Sequence, residues 1–430
     1  MKSRLYYDIT SLIEWKGNLT GIPRTVDEIA RRLKKESNIV FIRWSFKNQL
    51  FEIVDIEHYY KVIDPENRAY FNNKLSVKGE KTKITPIKIL KKIIRSSRIL
   101  SKLGELTLNF VRKVDYSLNS AHIKSNLKVD DGSVIFVPCG LWDNEEYIQS
   151  ILDYKDKGSK IAFLSYDLLP IVVPQFSGQW GKAMTDFTDK ITSICDIVFC
   201  ISEHTKKDLK IHLKDYGLKV PKIITIRLGD EFTEFSPTMP TDQRFIDSKI
   251  SLTNEEFILC TGTLEARKNH TLLYYTYKLA KSKGIKLPKL IVVGRVGYRT
   301  ENIISIIEED PEIFNNIFIL KDVSDKELAW LYANCRFTVY QSFYEGWGLP
   351  IAESVSRGIP CIASNTSSMV EVAPNFVKHF NPASSDECLA AIIEYMDNTN
   401  LKAAKNKLKT YQPVSWDFTF TQLIKELSSL

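Results

Sequence analysis

Long hydrophobic runs are absent from the sequence, and no segment approaches the roughly 20 apolar residues that a membrane-spanning helix needs. The first residues, MKSRLYYDITS, also lack the apolar stretch of a secretory signal peptide. The seven cysteines form no Cys-x-x-Cys pair, and their odd number argues against a disulfide framework. We therefore expect a cytoplasmic protein.

Metal-binding patterns and long repeats are missing as well. The chain contains no Asp-x-Asp, and its six histidines show no spacing typical of metal ligands. No repeat of solenoid length occurs. The sequence therefore predicts no metal and no other cofactor.

The overall composition is that of an ordinary globular protein. Of 430 residues, 44% are hydrophobic and 26% charged, which predicts two or three domains with ample core. The net charge of +7 suits an anionic ligand or an anionic membrane surface, although solubility alone would also explain it.

Apolar, strand-like segments alternate with helical patterns along most of the chain. In the second half, the predicted strands are 257–262, 289–294, 316–320, 337–342 and 360–365. The helices predicted between them are 270–284, 301–309, 324–335, with Ser324 as N-cap, and 350–358. Short, continuously apolar strands in this alternation indicate a parallel, doubly wound sheet.

The first half repeats the pattern. Its predicted strands are 4–10, 38–44, 133–138, 160–167, 196–202 and 222–229, with a helix from Pro23 to about Lys35. The polar segment 233–244 contains two prolines and reads as an interdomain linker. We therefore predict an α/β protein with two Rossmann-like doubly wound domains, 1–235 and 245–412, facing across a cleft.

Residues 78–103 are strongly basic and break the alternation. Nine lysines and arginines accompany one acid, Glu80, and apolar residues recur at roughly helical spacing. One interpretation is an amphipathic helix on an anionic membrane, and the other is a solvated surface helix with a buried stripe. The segment has no aromatic residues for stacking on bases, so nucleic acid is not an expected partner.

The stretch YEGWGLPIAE, residues 344–353, places two carboxylates around a glycine-rich turn. Glu345 and the amides of residues 346–349 come just before a predicted helix, and Glu353 lies in its first turn. Free amides at a helix start bind oxyanions, and carboxylates accept hydrogen bonds from sugar hydroxyls. The stretch therefore fits a sugar nucleotide, or else a capped helix whose dipole Glu353 favours.

The segment GTLEARKNH, residues 262–270, follows the first strand of the same domain. Arg267 can grip phosphate oxygens in a bidentate manner, and Lys268 supplies a point charge. Because both loops open at the carboxyl edge of a parallel sheet, we expect them to face one crevice.

These motifs resemble those of the retaining glycosyltransferases of family four, which have the GT-B fold. The resemblance covers nearly the full length. It rests on TGIPR (20–24), YDLLP (166–170), CISEHTKKDL (200–209), GTLEARKNH, VVGRVGY (292–298), LKDVSDKELAWLYANC (320–335), SFYEGWGLPIAESVSRGIPCIASNTSSMVEVAP (342–374) and FNPASSDE (380–387). The two carboxylates together with the Arg-Lys loop are specific.

The resemblance implies roles for the charged residues. Arg267 and Lys268 match the pair that neutralises the donor diphosphate, and Glu353 matches the carboxylate on the nucleotide ribose. Glu345 matches the group that holds the donor sugar and its phosphate.

Backbone groups also receive roles by resemblance. The amides of Gly346, Trp347, Gly348 and Leu349 act with Glu345 on the donor. Val323 matches the position where the base is bound through backbone groups, and Gly21 matches an N-terminal glycine loop near the diphosphate. The segment 413–430 resembles a helix that crosses back to the first domain.

Three positions depart from the family pattern. Trp347 replaces a phenylalanine, and Gly21 stands alone where many members have two adjacent glycines. Tyr166 replaces a histidine before Asp167, which leaves open which of these two side chains contacts the donor sugar. We favour Asp167 as a catalytic residue, although an aspartate at a strand end can also serve local amides.

The resemblance implies metal-independent hexosyl transfer with retention, in which the acceptor attacks from the leaving-group face and a donor phosphate oxygen takes its proton. The expected donor is GDP-mannose, and the expected acceptor is a glycan or lipid-linked glycan in bacterial O-antigen or capsule synthesis, at the inner face of the cytoplasmic membrane. A rhamnosyl-, glucosyl- or N-acetylhexosaminyltransferase using a UDP or dTDP sugar is the alternative. A GT-B epimerase or a non-catalytic sugar-nucleotide-binding protein represents a different class.

Overall fold

The computed structural model describes residues 3–15, 21–62, 123–231, 256–321 and 323–430. The basic segment 78–103 and the interdomain linker 233–244 lie outside the described residues, so both remain sequence-based predictions.

The first sheet is mostly parallel. Its strands are β1 (Leu5–Asp8), β2 (Ile39–Ser45), β3 (Leu50–Val54), β4 (Ile123–Asn126), β5 (Val134–Val137), β6 (Lys160–Ser165), β7 (Ile197–Cys200) and β8 (Lys222–Thr225). They lie in the order β4-β3-β2-β1-β5-β6-β7-β8, and β1 runs parallel to β2 and to β5. The predicted doubly wound parallel arrangement is confirmed, with β3 and β4 added at one edge through antiparallel pairings of β2 with β3 and of β3 with β4.

The helices described with this sheet fill the connections between its strands. They are α1 (Thr10–Glu14), α2 (Ile22–Leu33), α3 (Ile56–Val62), α4 (Glu145–Asp156), α5 (Leu169–Val172), α6 (Gly181–Ile194) and α7 (Glu203–Asp215). Asn144 and Ser202 cap α4 and α7 by accepting hydrogen bonds from backbone amides three residues later.

The second sheet is fully parallel. Its strands are β9 (Phe257–Thr261), β10 (Lys289–Val293), β11 (Ile317–Leu320), β12 (Phe337–Tyr340), β13 (Cys361–Ser364) and β14 (Val377–Phe380). The strands lie in the order β11-β10-β9-β12-β13-β14. From β9, successive strands are added first on one side, as β10 and β11, and then on the other side, beginning with β12. In such sheets, ligands bind beyond the carboxyl ends of the strands at this switch point.

Helices connect the strands of the second sheet and follow its last strand. They are α8 (His270–Ser282), α9 (Glu301–Glu309), α10 (Asp325–Asn334), α11 (Leu349–Ser356), α12 (Ser385–Met396), α13 (Asn398–Leu408) and α14 (Trp416–Leu427). The predicted N-cap Ser324 is confirmed, because its side chain and that of Glu327 form a capping box at α10.

Apolar cores cover both faces of the second sheet. Ile258 and Leu290 belong to one buried cluster, whereas Phe257 and Ile291, the neighbouring residues on the same strands, belong to another. Because side chains alternate between faces along a strand, strands covered on both sides read as continuous apolar runs. This burial explains why β9 to β13 were recognisable in the sequence, whereas β14, with Lys378 and His379 in its four residues, was missed.

Helix α14 packs against the segment that follows β8. Thr419 donates a hydrogen bond to the carbonyl of Arg227 at 2.7 Å, and Lys222 pairs with Glu426 at 2.8 Å. The Trp416 ring lies so close to Gly229 that a Cβ on this glycine would approach it to 2.6 Å.

The chain divides into two compact units. The first contains residues 1–163, 194–196 and 427–430, and the second contains 164–193 and 197–426.

All seven cysteines are free thiols. Among the helices that the structure describes, none is long and apolar enough to cross a membrane.

Candidate active site

The loop after β9 carries the predicted basic pair. Residues Ala266–Lys268 form a 3-10 turn, and Asn269 follows with a left-handed backbone at φ +56°. The Asn269 side chain donates a hydrogen bond to the carbonyl of Pro382 at 2.8 Å, which holds this unusual conformation in place. The turn therefore presents Arg267 and Lys268 at the switch-point edge of the sheet, immediately before α8.

The loop after β12 carries the first predicted carboxylate. Glu345 is buried, and its Oε1 accepts a hydrogen bond from the Ser342 hydroxyl at 2.7 Å. Its backbone amide donates to Ser367 Oγ at 2.9 Å, and its carbonyl accepts from Ser368 Oγ at 2.7 Å. Both the side chain and the backbone of Glu345 are thereby fixed.

The two loops meet in one ion cluster. Arg267 Nη1 lies 2.6 Å from Glu345 Oε2, and Lys268 Nζ lies 2.6 Å from Glu345 Oε1. Arg267 Nε also lies 3.0 Å from Glu265 Oε2. The sequence therefore correctly placed the basic pair and the carboxylate at one edge of the sheet.

The cluster strongly biases the protonation of Glu345. Burial alone would raise the pKa of this carboxyl, but Arg267 and Lys268 together lower it far below its usual value. Burial and the neighbouring Arg267 lower the pKa of Lys268, while Glu345 opposes this shift. The net effect is a carboxylate that remains charged at neutral pH.

Tyr340 is a site residue that sequence reasoning missed. It is buried at the end of β12, and its hydroxyl accepts a hydrogen bond from Lys268 Nζ. The ammonium also lies 4.8 Å from the centroid of the same ring, within range of a cation–π interaction. A tyrosine two residues before the loop gave no signal, because a buried strand residue normally serves only the core.

Asp167 follows β6 and lies within the second unit, as do the basic pair and Glu345. Its Oδ1 accepts a hydrogen bond from the Leu169 amide at 3.1 Å. Burial raises the pKa of Asp167, and Arg267 partly counteracts the rise. Asp167 therefore accepts a hydrogen bond from a local amide, as the alternative interpretation supposed. Arg267 is near enough to lower the pKa of its carboxyl.

The strand end that carries Asp167 packs directly against the turn that carries Glu345. A Cβ added to Gly346 would lie 1.9 Å from the carbonyl oxygen of Tyr166 and 3.0 Å from Asp167 Cβ. Only glycine fits here, because any side chain would collide with backbone. This close approach brings the two predicted catalytic carboxylates into one neighbourhood.

The remaining turn residues lead into α11. Gly348 is its N-cap, with a φ of +121° that favours glycine, and Leu349 is its first residue. The Trp347 side chain is buried, and its carbonyl accepts a hydrogen bond from Ser368 Oγ at 2.9 Å. The indole thus has a packing role, as expected for a replacement of phenylalanine.

Glu353 is the fifth residue of α11, so its predicted place in the first helical turn is wrong by about one residue. The helix begins at Leu349, one residue before the start that the sequence predicted at Pro350. Glu353 Oε2 accepts a hydrogen bond from the Tyr332 hydroxyl at 3.0 Å. Tyr332, on α10, is a second partner that sequence reasoning missed.

Val323 and Gly21 remain more isolated predictions. Val323 is half-buried and packs against the core cluster that contains Leu320, just before the capped start of α10. Gly21 is the N-cap of α2 in the first unit, with a φ of +58° and nothing within 4 Å of an added Cβ.

In the described part of the chain, no group of three or more His, Cys, Asp or Glu side chains could hold a metal ion.

A mostly parallel sheet and a fully parallel sheet, both connected by helices, have the architecture of the GT-B fold, and the charged cluster lies at the switch point of the second sheet. Solved structures of other proteins match this fold over the whole chain. Anabaena HepE in complex with UDP and glucose matches with a TM-score of 0.57 and 14% identity, covering 100% of both chains. Sucrose-phosphate synthase from Thermosynechococcus elongatus matches with a TM-score of 0.58 and 13% identity, covering 100% of this chain and 99% of that one. At these identities the likeness shows the fold alone.

Residues 242–411 match the family described as Glycosyl transferases group 1. It is 29% identical over 230 residues to O-antigen chain mannosyltransferase B of Escherichia coli, an alignment of 53% of this chain and 59% of the relative. It is 23% identical over 266 residues to the serotype-specific mannosyltransferase WbdA of Escherichia coli, covering 58% of this chain and 31% of the relative. The chain thus spans less than two thirds of the length of either relative. The predicted family resemblance is confirmed.

Proposed function

We propose that the protein is a retaining glycosyltransferase that moves a hexose from a nucleotide-sugar donor to a glycan or lipid-linked glycan. The observation that carries the proposal is the ion cluster of Arg267, Lys268 and Glu345 at the switch point. A half-buried arginine and a buried lysine beside a carboxylate suit a ligand that combines a diphosphate with sugar hydroxyls.

The chemistry follows from where charge develops in the reaction. Cleavage of the anomeric bond places negative charge on the leaving diphosphate, and Arg267 and Lys268 stabilise it without a metal. Positive charge develops on the sugar ring, where Asp167 and Glu345 supply carboxylate oxygens. Glu353, held by Tyr332, accepts a hydrogen bond from the ribose.

Retention requires the acceptor hydroxyl to attack from the face that the diphosphate leaves. In this proposal a donor phosphate oxygen takes the hydroxyl proton, so no protein side chain has to act as the base. The amides of Gly346, Trp347, Gly348 and Leu349 hold the donor phosphate near the start of α11, Val323 contacts the base through its backbone, and Gly21 contacts the diphosphate.

We propose GDP-mannose as the donor and a bacterial surface polysaccharide, such as O-antigen or capsule, as the product. The support is that the two Escherichia coli relatives described above are named mannosyltransferases, one of them acting on the O-antigen chain. A rhamnosyl, glucosyl or N-acetylhexosaminyl donor is the alternative.

A donor panel tests the proposal. The protein is incubated separately with GDP-mannose, UDP-glucose, UDP-N-acetylglucosamine and dTDP-rhamnose in the presence of a membrane glycolipid extract. We expect an α-mannosyl product from GDP-mannose alone, with its anomer assigned by NMR. A product from a uridine or thymidine donor alone would refute the mannose donor, and an inverted anomer would refute retention. Free-sugar isomerisation without transfer would identify an epimerase, and nucleotide binding without turnover would identify a non-catalytic binder.

We further propose that the protein associates with the inner face of the cytoplasmic membrane through residues 78–103. The support is compositional, because nine basic residues and a helical apolar spacing suit an anionic lipid surface. Anionic vesicles should retain the protein at low salt and release it as salt rises. Replacing Lys88, Lys91, Lys92 and Arg95 with Gln should abolish retention, and equal retention by neutral vesicles would contradict the proposal.

A further inference from the structure

Tyr344 links three segments of the chain through one buried phenol. It immediately precedes Glu345, and only 3% of its surface is exposed. Its hydroxyl donates a hydrogen bond to Asp208 Oδ2 at 2.8 Å and accepts one from the Leu168 amide at 3.4 Å. These partners lie 136 and 176 residues away in the sequence, so only the fold brings them together.

Two contacts of Tyr344 reach loops of the candidate site. Leu168 directly follows Asp167, so the phenol touches the loop that carries one predicted catalytic carboxylate. The carbonyl of Tyr344 accepts a hydrogen bond from Arg267 Nη1 at 3.2 Å. Tyr344 therefore contacts the loop of Asp167 and Arg267 itself, while its own loop carries Glu345.

Asp208 provides a fixed acceptor for the phenol. It lies on α7, and its side chain is only 12% exposed. The first amides of this helix, from Glu203 and His204, donate to the Glu371 carboxylate at 2.8 and 2.7 Å. Because α7 is held at its N-terminus in this way, Asp208 cannot easily follow a displaced tyrosine.

We propose that Tyr344 is a positioning residue that fixes the placement of Asp167 relative to Glu345 during glycosyl transfer, with Asp208 as its anchor. This inference rests on the proposed function of the site. Transition-state stabilisation requires the reacting groups to be held at the correct distance and orientation, and a displacement of about 1 Å can reduce turnover about a hundredfold. The phenol hydroxyl bonds to Asp208 and Leu168, and not to the Arg267 and Lys268 side chains that are proposed to bind the diphosphate.

The decisive variant is Tyr344→Phe, which keeps the aromatic ring and removes only the hydroxyl. We expect kcat to fall between about tenfold and a hundredfold, while the Kd for a nucleoside diphosphate stays within about threefold of wild type. Calorimetry measures the Kd and also counts the competent sites. Tyr275→Phe, at a 55% exposed tyrosine of α8, removes the same atom from the surface and should leave both quantities unchanged.

The anchor is tested by a double-variant cycle. Asp208→Leu should lower kcat about as much as Tyr344→Phe, and the two together should lower it no more than about twofold further, because they remove one shared contact. Asp208→Asn keeps a carbonyl acceptor and should recover most of the loss seen with Leu. Losses that multiply in the double variant would overturn the assignment of Asp208.

A second readout needs no sugar donor. In Tyr344→Phe, amide hydrogen exchange should accelerate in peptides covering both 164–173 and 341–349, and not in Tyr275→Phe. Unchanged kcat, a proportional loss of nucleotide binding, or unchanged exchange in both peptides would overturn the positioning role. Failure of the wild-type protein with every donor would instead count against the proposed function, whatever the exchange shows.

Discussion

Arg267 Nη1 lies 2.6 Å from Glu345 Oε2, so the guanidinium predicted to hold a diphosphate already holds a carboxylate of its own chain. Lys268 engages the other oxygen of the same carboxylate. A buried lysine next to a half-buried arginine would be costly without a counter-charge, and Glu345 offsets that cost. In the proposed function, the donor diphosphate would therefore share these cations with Glu345.

Removing either cation should impair turnover. We expect Arg267→Ala and Lys268→Ala each to lower the rate of transfer by about tenfold or more, because the leaving diphosphate loses a charged partner. Lys283→Ala, which removes an exposed lysine paired with Asp386 at 2.8 Å, is the matched control and should leave the rate unchanged. Circular dichroism should report an intact fold. Activity within about twofold of wild type in both site variants would show that Arg267 and Lys268 do not stabilise the leaving diphosphate.

The two carboxylates should separate binding from turnover. In Glu345→Gln, Arg267 and Lys268 lose their internal anion, so calorimetry should show nucleoside diphosphate binding as tight as in wild type or tighter. The rate of transfer should nevertheless fall by about tenfold or more, since the group beside the reacting sugar loses its charge.

Glu353→Ala should show the opposite behaviour and mainly weaken nucleotide binding. Tyr332→Phe should weaken it less, because the carboxylate remains and only its hydrogen-bond donor at 3.0 Å is lost. If Glu345→Gln and Glu353→Ala lost affinity and turnover in equal proportion, the division of roles would be wrong.

Gly346 should tolerate no side chain. In Gly346→Ala the new Cβ would meet the Tyr166 carbonyl at 1.9 Å, and backbone cannot rotate away as a side chain can. We expect a loss of about 1–3 kcal/mol in the free energy of unfolding and a loss of transfer activity. Gly181→Ala is the comparison, because its Cβ would meet only the Ser177 side chain, at 2.4 Å. Equal stability of the two variants by urea denaturation would show that the turn adapts.

The parallel strands other than β14, and the two charged loops, were predictable because each depends on local sequence. A continuously apolar strand followed by a glycine turn fixes where Arg267, Lys268 and Glu345 emerge. Strand β3 was missed because Glu52 interrupts its apolar pattern, and only the structure shows this residue buried against Arg43 at 3.5 Å.

Partners supplied by distant segments left no sequence signal. Tyr332 and Glu353 are on different helices, and Asp208 is 136 residues from Tyr344. Periodicity predicts which face of a helix is buried, but it does not reveal which polar side chain of another element lies opposite. These contacts can be recognised only when the relative positions of the helices and loops in the folded protein are known.

Asp8, at the end of β1, should make stability depend on pH. Its carboxyl is 1% exposed and accepts hydrogen bonds from the Thr10 amide at 2.8 Å, from the Thr10 hydroxyl, and from Tyr147 at 2.5 Å. Burial raises its pKa from 3.8 to about 6, although these hydrogen bonds oppose the rise. The folded state therefore binds the Asp8 proton more tightly than the unfolded state does.

The sign of the effect follows directly from this raised pKa. The contribution of Asp8 to stability is fully present below pH 3.8 and is lost as the pH rises through about 6. From acid to neutral pH, the free energy of unfolding of the wild type should fall relative to Asp8→Asn by at most about 3 kcal/mol. Urea denaturation between these limits measures the difference, and Asp386→Asn, at a side chain that is 75% exposed, should reproduce the wild-type profile. Parallel profiles for wild type and Asp8→Asn would mean that Asp8 keeps an ordinary pKa in the folded protein.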